Sequence, residues 1–231
     1  ALTDYHGEVI LKEAFNSGQL TFKYDTQEDV YNYVRQLCRE SIDLLNRTDG
    51  NSTATNLAIG DQYFYGGDVT KWKKFVYAVM ARSFHHLSNK ASYNADSVIF
   101  YANLAMNVND DNATMRFANT GITGTSNFFG PVRGNVGTMR QTEFIANLMT
   151  GANSRFLGAV DPRAAYIIRE NPNGNYRGIR PNAGTSGLVV ADQPANFWGS
   201  VFTSTAAPTS DADCRYIFKN GSPFPIITAS E

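Results

Sequence analysis

Residues 61–87, DQYFYGGDVTKWKKFVYAVMARSFHHL, constrain what this chain can fold into more than any other stretch. Gly66-Gly67 breaks the preceding structure, and Asp68 or Thr70 then offers a side-chain oxygen to the free N–H groups that open a helix. Trp72, Phe75, Val76, Val79, Ser83, His86 and Leu87 recur at helical spacing and give one inward stripe to a helix from about Thr70 to Ser88. An aromatic opening such a stripe is first of all a core residue, so Trp72 is assigned to the scaffold. A helix of this length must bury its apolar face against other elements of the chain.

Three further helices are predicted. The first runs from about Gln27 to Asn46, capped by Thr26, with Asp25 and Glu28 placing negative charge at the first turn. Its stripe is Val30, Val34, Leu37, Ser41, Leu44 and Leu45, and Cys38 within it reads as a small buried hydrophobe. Another spans about Ala95 to Met106, with Val98, Ala102 and Ala105 on one face. A last one, about Met139 to Thr150, opens with a Thr138/Gln141 capping box and stops at Gly151. Thr48 to Gly60 reads as a loop.

Apolar-striped helices joined by short polar breaks predict a mainly α fold with helix-on-helix packing of the solenoid type, although no fixed period repeats along the chain. From Asn153 onward Gly, Pro and Asn recur, and short apolar runs such as Gly187–Ala191 and Arg215–Phe218 predict loops with short strands. The chain is read as one segment, helical over about 25–152 and loop-rich over about 153–231.

Twenty basic residues nearly balance twenty-one acidic ones, and charged residues make up only 18% of the chain. Nucleic acid is therefore not an expected partner, since its binding rests on clustered positive charge. A neutral, hydrogen-bonding, aromatic surface suits uncharged polyhydroxylated ligands. Two cysteines, Cys38 and Cys214, are too few for a disulfide framework; a single long-range bridge stays open. No apolar run approaches the roughly 20 residues of a membrane helix.

The usual catalytic motifs, H-E-x-x-H, G-x-S-x-G and the phosphate-binding G-x-x-x-x-G-K, do not occur, so no catalytic residue, metal site or cofactor is expected. Adjacent helical residues point about 100° apart, which keeps His85 and His86 from sharing one metal easily. Asp110 and Asp111 lack the spacing of a calcium loop and read as a solvated turn.

Four places carry a family resemblance. They are Asp61, Tyr65, Gly67, Asp68, Lys71, Trp72, Lys74 and Phe75 in the opening stretch; the helix DTQEDVYNYVRQLCRESIDLL; Asp161-Pro162-Arg163; and the ending Pro225-Ile226-Ile227-Thr228-Ala229-Ser230-Glu231. In order and rough spacing they resemble the signature of the SusD/RagB family of outer-membrane nutrient-binding lipoproteins. Val76-Tyr77-Ala78 departs from the small polar residues usual there, and YHGEVILKEAF keeps only Gly7, Val9, Glu13 and Ala14 of the family's pattern.

The resemblance implies a tetratricopeptide-like α-α superhelix, of which this chain is an interior segment. It further implies a cell-surface protein, lipid-anchored in the outer membrane, that captures oligosaccharides and delivers them to a TonB-dependent SusC-like transporter. Two other readings stand beside it: a helical-repeat scaffold that contacts only protein, and a peptide-binding member.

Sugar rings stack their C–H faces on aromatic rings, while their hydroxyls need directional amide, carboxylate or guanidinium partners. Two segments combine these groups. NPNGNYRGIRPNAG holds Tyr176, Arg177 and Arg180, and ADQPANFWGSVF holds Asp192, Gln193, Asn196, Phe197 and Trp198. The competing reading is a loop aromatic pinned against the helices. Phe128 and Phe129 rank below these candidates.

Overall fold

Thr26, Thr53, Asp68 and Asn94 each place a side-chain oxygen on the N–H groups of the turn that follows, and each opens a helix. The structure, a computed structural model, describes residues 1–50, 53–134, 140–194 and 219–229. Contacts divide the chain into two compact units, residues 1–115 with the segment from Pro225, and Arg116–Phe224. The change of sequence texture near residue 152 falls inside the second unit.

The first unit contains α1 (Leu2–His6), α2 (Gln27–Asn46), α3 (Ala54–Gly60), α4 (Val69–His85) and α5 (Ala95–Leu104). Helix α4 packs on both α2 and α5. Its core is Cys38, Val76 and Met80, with Val34, Ile42, Leu45, Phe75, Val79, Phe84 and Tyr101 against them. Each fully buried side chain of this size stabilises the fold by about 1.5–3 kcal/mol. On α5, Val98 and Ala102 share a face with Ala105 just beyond it, as their spacing predicts; with Ala78 and Ala81 they line a cavity of about 610 Å³.

Three expectations are corrected. The buried stripe of α2 is Tyr31, Val34, Cys38, Ile42 and Leu45, while Leu37 and Leu44 face solvent. Cys38, not Leu37, packs with Val76 and Met80 of α4. On α4 the deepest residue is Met80, 2% exposed and outside the predicted stripe. The segment read as a loop carries α3, where Thr53 accepts from the Asn56 N–H and opens about two turns of helix over ATNLAIG.

Local ties explain why residues 61–75 carry so specific a pattern. One oxygen of Asp61, Oδ2, accepts the N–H of Tyr65 at 3.2 Å, that of Gly67 at 2.9 Å and the indole N–H of Trp72 at 2.7 Å. Trp72 lies edge-on to Tyr65 and Phe75, with ring centroids 5.2 and 5.4 Å away. Gly67 has φ +83°, and a Cβ there would come within 2.7 Å of the Leu57 carbonyl carbon, so only glycine fits. Lys74 reaches both carboxylate oxygens of Asp111 at 2.8 Å, and the Tyr65 hydroxyl donates to the Asp111 carbonyl. Asp111 is therefore buried and paired, not the solvated turn its neighbours suggest.

Elsewhere in this unit the Tyr31 hydroxyl donates to Asp4 and shares a hydrogen bond with His86 Nδ1, linking α1, α2 and the end of α4. Strand β1 (Ala113–Met115) pairs with β2 (Phe224–Ile227), and the Ala229 N–H donates to the Asn112 side chain. Cys38 is a buried free thiol; Cys214 lies outside the described residues.

The second unit contains α6 (Glu143–Met149) and α7 (Ala164–Ile167). Met149, Ala164 and Ile168 form its core, with Ile145 and Tyr176 packed on them. Helix α6 starts later than its sequence predicts. Thr142 caps it by accepting from the Ile145 N–H, and Gln141 is buried in other hydrogen bonds; Thr138 lies outside the described residues. It does stop at Gly151, which takes φ +72°, while Ala152 N–H returns to the Asn147 carbonyl in a Schellman-type closure. Of the runs expected to carry short strands, Gly187–Ala191 instead leads into a 3₁₀ turn at Val190–Asp192, and Arg215–Phe218 lies outside the described residues.

Candidate ligand-binding loops

The side chain of Gln141 organises the loop that carries the sequence candidates. Its amide donates to the carbonyls of Arg169 and Arg177 and accepts from the Arg169 N–H, each at 2.9 Å. Beside it, Ile179 N–H donates to the Gln141 carbonyl and Glu143 N–H to that of Ile179. Gly178 lies between these bonds. A Cβ there would sit 2.1 Å from the Thr142 carbonyl carbon, so the loop crosses the start of α6 backbone to backbone.

The preceding turn is built by Asn171. Its side-chain oxygen accepts from the N–H groups of Asn173 and Asn175, and Gly174 supplies φ +75°. The result is a fixed turn that leaves Asn173 and Asn175 exposed. Asn173 Nδ2 donates to the Asp192 carboxylate at 2.7 Å, and an Arg177 N–H reaches the Asp192 carbonyl at 3.4 Å.

Asp192 and Arg177 are thus brought together with Asn173 in one exposed polar cluster. Arg180 is drawn away, its Nε donating to Glu143 at 2.7 Å. The Tyr176 ring is half-buried against Met149, Ala164 and Ile168, as the pinned-aromatic reading has it. Gln193 donates to the Leu188 carbonyl. Asn196, Phe197 and Trp198 lie outside the described residues.

A second feature ranked low on sequence grounds stands out in three dimensions. Phe128 is 54% exposed, with the Arg133 guanidinium 5.9 Å from its ring centre. The turn beneath it is fixed by Asn127, which is fully buried, accepts from the Phe129 N–H and donates to the Lys219 carbonyl. Asn173, Asn175 and Arg133 are absent from the sequence candidates. The repeated asparagines of N-P-N-G-N were a usable turn signal, whereas nothing local marks Arg133. The loops offer an exposed aromatic face at Phe128, an amide–carboxylate pair at Asn173 and Asp192, and the Arg177 guanidinium on the Asp192 carbonyl.

The whole chain, residues 1–231, matches the SusD-like family described as starch-binding and associating with the outer membrane, and it belongs to that family. Solved structures agree on the fold. A SusD homolog from Bacteroides uniformis is 24% identical, covering 100% of this chain and 41% of its own, with a TM-score of 0.55. A chitin-binding SusD homolog from Flavobacterium johnsoniae is 19% identical over 99% of this chain and 42% of its own, with a TM-score of 0.66. A homolog from Bacteroides ovatus is 15% identical, covering 99% and 43%, with a TM-score of 0.62. The chain spans less than half the length of these relatives. No curated protein sequence matches it. The fold is the mainly helical, tetratricopeptide-like one of the family.

Proposed function

We propose that this protein is a non-enzymatic, cell-surface glycan-binding protein that captures oligosaccharides and hands them to a TonB-dependent outer-membrane transporter. The observation that carries the reading is the family match over the entire chain. The chitin-binding relative supports glycan as the ligand class. In this molecule the ligand would meet the loops of the second unit. Phe128 offers a stacking face, Asn173, Arg177 and Asp192 offer hydroxyl partners, and Tyr176, Arg180, Asn196, Phe197 and Trp198 are retained as contributors. Binding of this kind rests on shape and hydrogen bonds and needs no chemical step. In the cell the protein would be lipid-anchored to the outer membrane.

Titration calorimetry against a panel of oligosaccharides tests this. Asp192→Ala and Trp198→Ala are each expected to weaken the best glycan by roughly 5- to 20-fold, the loss of one or two directional contacts or of a stacking ring. Absence of binding to every glycan, with tight binding of a peptide, would overturn the reading.

A further inference from the structure

A pocket in the first unit that shares no lining residue with the α4–α5 cavity has a different chemistry from the loops. It measures about 640 Å³, within the range of small-molecule sites, and lies among α2, Phe84 near the end of α4, and the turn at Leu11–Lys12. Arg35 and Arg39 stand one turn apart on α2 and both line it. Lys12, on the opposite rim, is already neutralised by Asp25 and Asp29 at 3.1 Å each. No such partner holds the arginines: among the described residues neither is ion-paired, and Arg35 makes one hydrogen bond, to the Asn32 side chain.

Arg35 is also held in place. Its guanidinium lies 5.0 Å over the Phe84 ring, which stacks on Tyr101 at 5.6 Å, so a column of rings running from α2 to α5 fixes its plane. Its Nη1 is buried without a hydrogen-bond partner, a polar group short of an acceptor. Burial, and then the neighbouring charge of Arg39, lower the Arg35 pKa from its ordinary value. Both effects are what an added anion relieves. Beside them the Tyr33 ring is 42% exposed on the pocket wall.

We propose that this pocket binds the carboxylate of an acidic saccharide, with Arg35 and Arg39 holding the anion and Tyr33 supporting the sugar face. Two guanidinium groups one turn apart can each donate to a different oxygen of one carboxylate, which a single lysine cannot. Asp29, across the pocket, is free to accept a sugar hydroxyl on its second oxygen.

Calorimetry on the purified protein with an oligogalacturonate, the neutral oligosaccharide of equal length, and inorganic phosphate decides the matter. The acidic saccharide is expected to bind at this pocket, with affinity falling as salt rises. Arg39→Gln, an exposed change that spares the core, is expected to weaken it at least about tenfold. Arg35→Gln is expected to do the same while circular dichroism stays that of the wild type. Arg155→Gln, which removes an exposed arginine that does not line this pocket, is expected to leave it unchanged. Uronate binding indifferent to salt or to Arg39→Gln, a neutral oligosaccharide as sensitive to Arg39→Gln as the uronate, loss of uronate binding in Arg155→Gln, or binding of phosphate in place of the uronate would each overturn the proposal.

Discussion

Asp61→Ala is expected to destabilise the first unit by about 3–5 kcal/mol, because one carboxylate oxygen satisfies three donors at once. Alanine leaves the indole N–H of Trp72 and the backbone N–H groups of Tyr65 and Gly67 in a half-buried site without an acceptor. Water can serve some of them only by loosening the aromatic packing of Trp72 on Tyr65 and Phe75. Asp61→Asn retains a carbonyl oxygen in the same place and is expected to lose about half as much. Urea denaturation followed by circular dichroism measures both. A loss under 1 kcal/mol in the alanine variant would show that the scaffold does not depend on this oxygen.

Lys74→Met is expected to cost about 3 kcal/mol by leaving Asp111, whose side chain is 5% exposed, as an uncompensated buried charge. The same pair sets a pH dependence. Burial alone would raise the Asp111 pKa, but the hydrogen bond and charge of Lys74, with the N–H groups of Asn107 and Val108, outweigh it and hold the carboxyl below its ordinary value. On acidification the unfolded chain therefore takes up this proton first. The stabilisation is complete above the ordinary carboxylate pKa of about 4 and is lost as pH falls through the lower folded value. Removing Lys74 lets burial dominate and lifts the folded pKa above that of the unfolded chain, so in the variant the sign reverses: the penalty stands at neutral pH and is relieved as pH falls. Thermal unfolding of both proteins between pH 3 and 7 checks the sign. Parallel curves would show that Asp111 draws nothing from Lys74.

What the sequence revealed in advance was whatever is decided within one or two helical turns. Thr26 and Asp68 cap the helices their positions predict, and the α2 bounds agree because capping and apolar spacing are local. The Asp111–Lys74 pair spans 37 residues, and the strand pair joins Ala113–Met115 to Phe224–Ile227, so neither leaves a local mark. The rotation of the α2 stripe toward Cys38 follows from its packing with Val76 and Met80 of α4, which is a property of two helices and not of one. Helix α3 was hidden because Thr and Asn, taken as loop residues, serve there as its cap and first turn.

The candidate site was legible only in part for the same reason. Composition pointed to the loops that hold Arg177 and Asp192, but which side chains meet depends on the Asn171 turn and on Gln141, whose bonds reach 28 and 36 residues ahead. Arg180 shared the loop with Arg177 and was drawn instead to Glu143. Phe128 was underrated because its exposure follows from the buried Asn127 beneath it, a contact with Lys219 far along the chain.

Gly178 gives those loops one more property. Because backbone meets backbone there with no room for even a methyl group, the segment from Tyr176 to Arg180 loses its conformational freedom during folding and not on meeting a ligand. A glycan meeting Arg177 and Asp192, as proposed, would find little loop entropy left to oppose it, and contacts that are individually weak would count more fully toward affinity. On that proposal, the missing side chain of a single residue helps to set how much of each hydrogen bond would survive as binding.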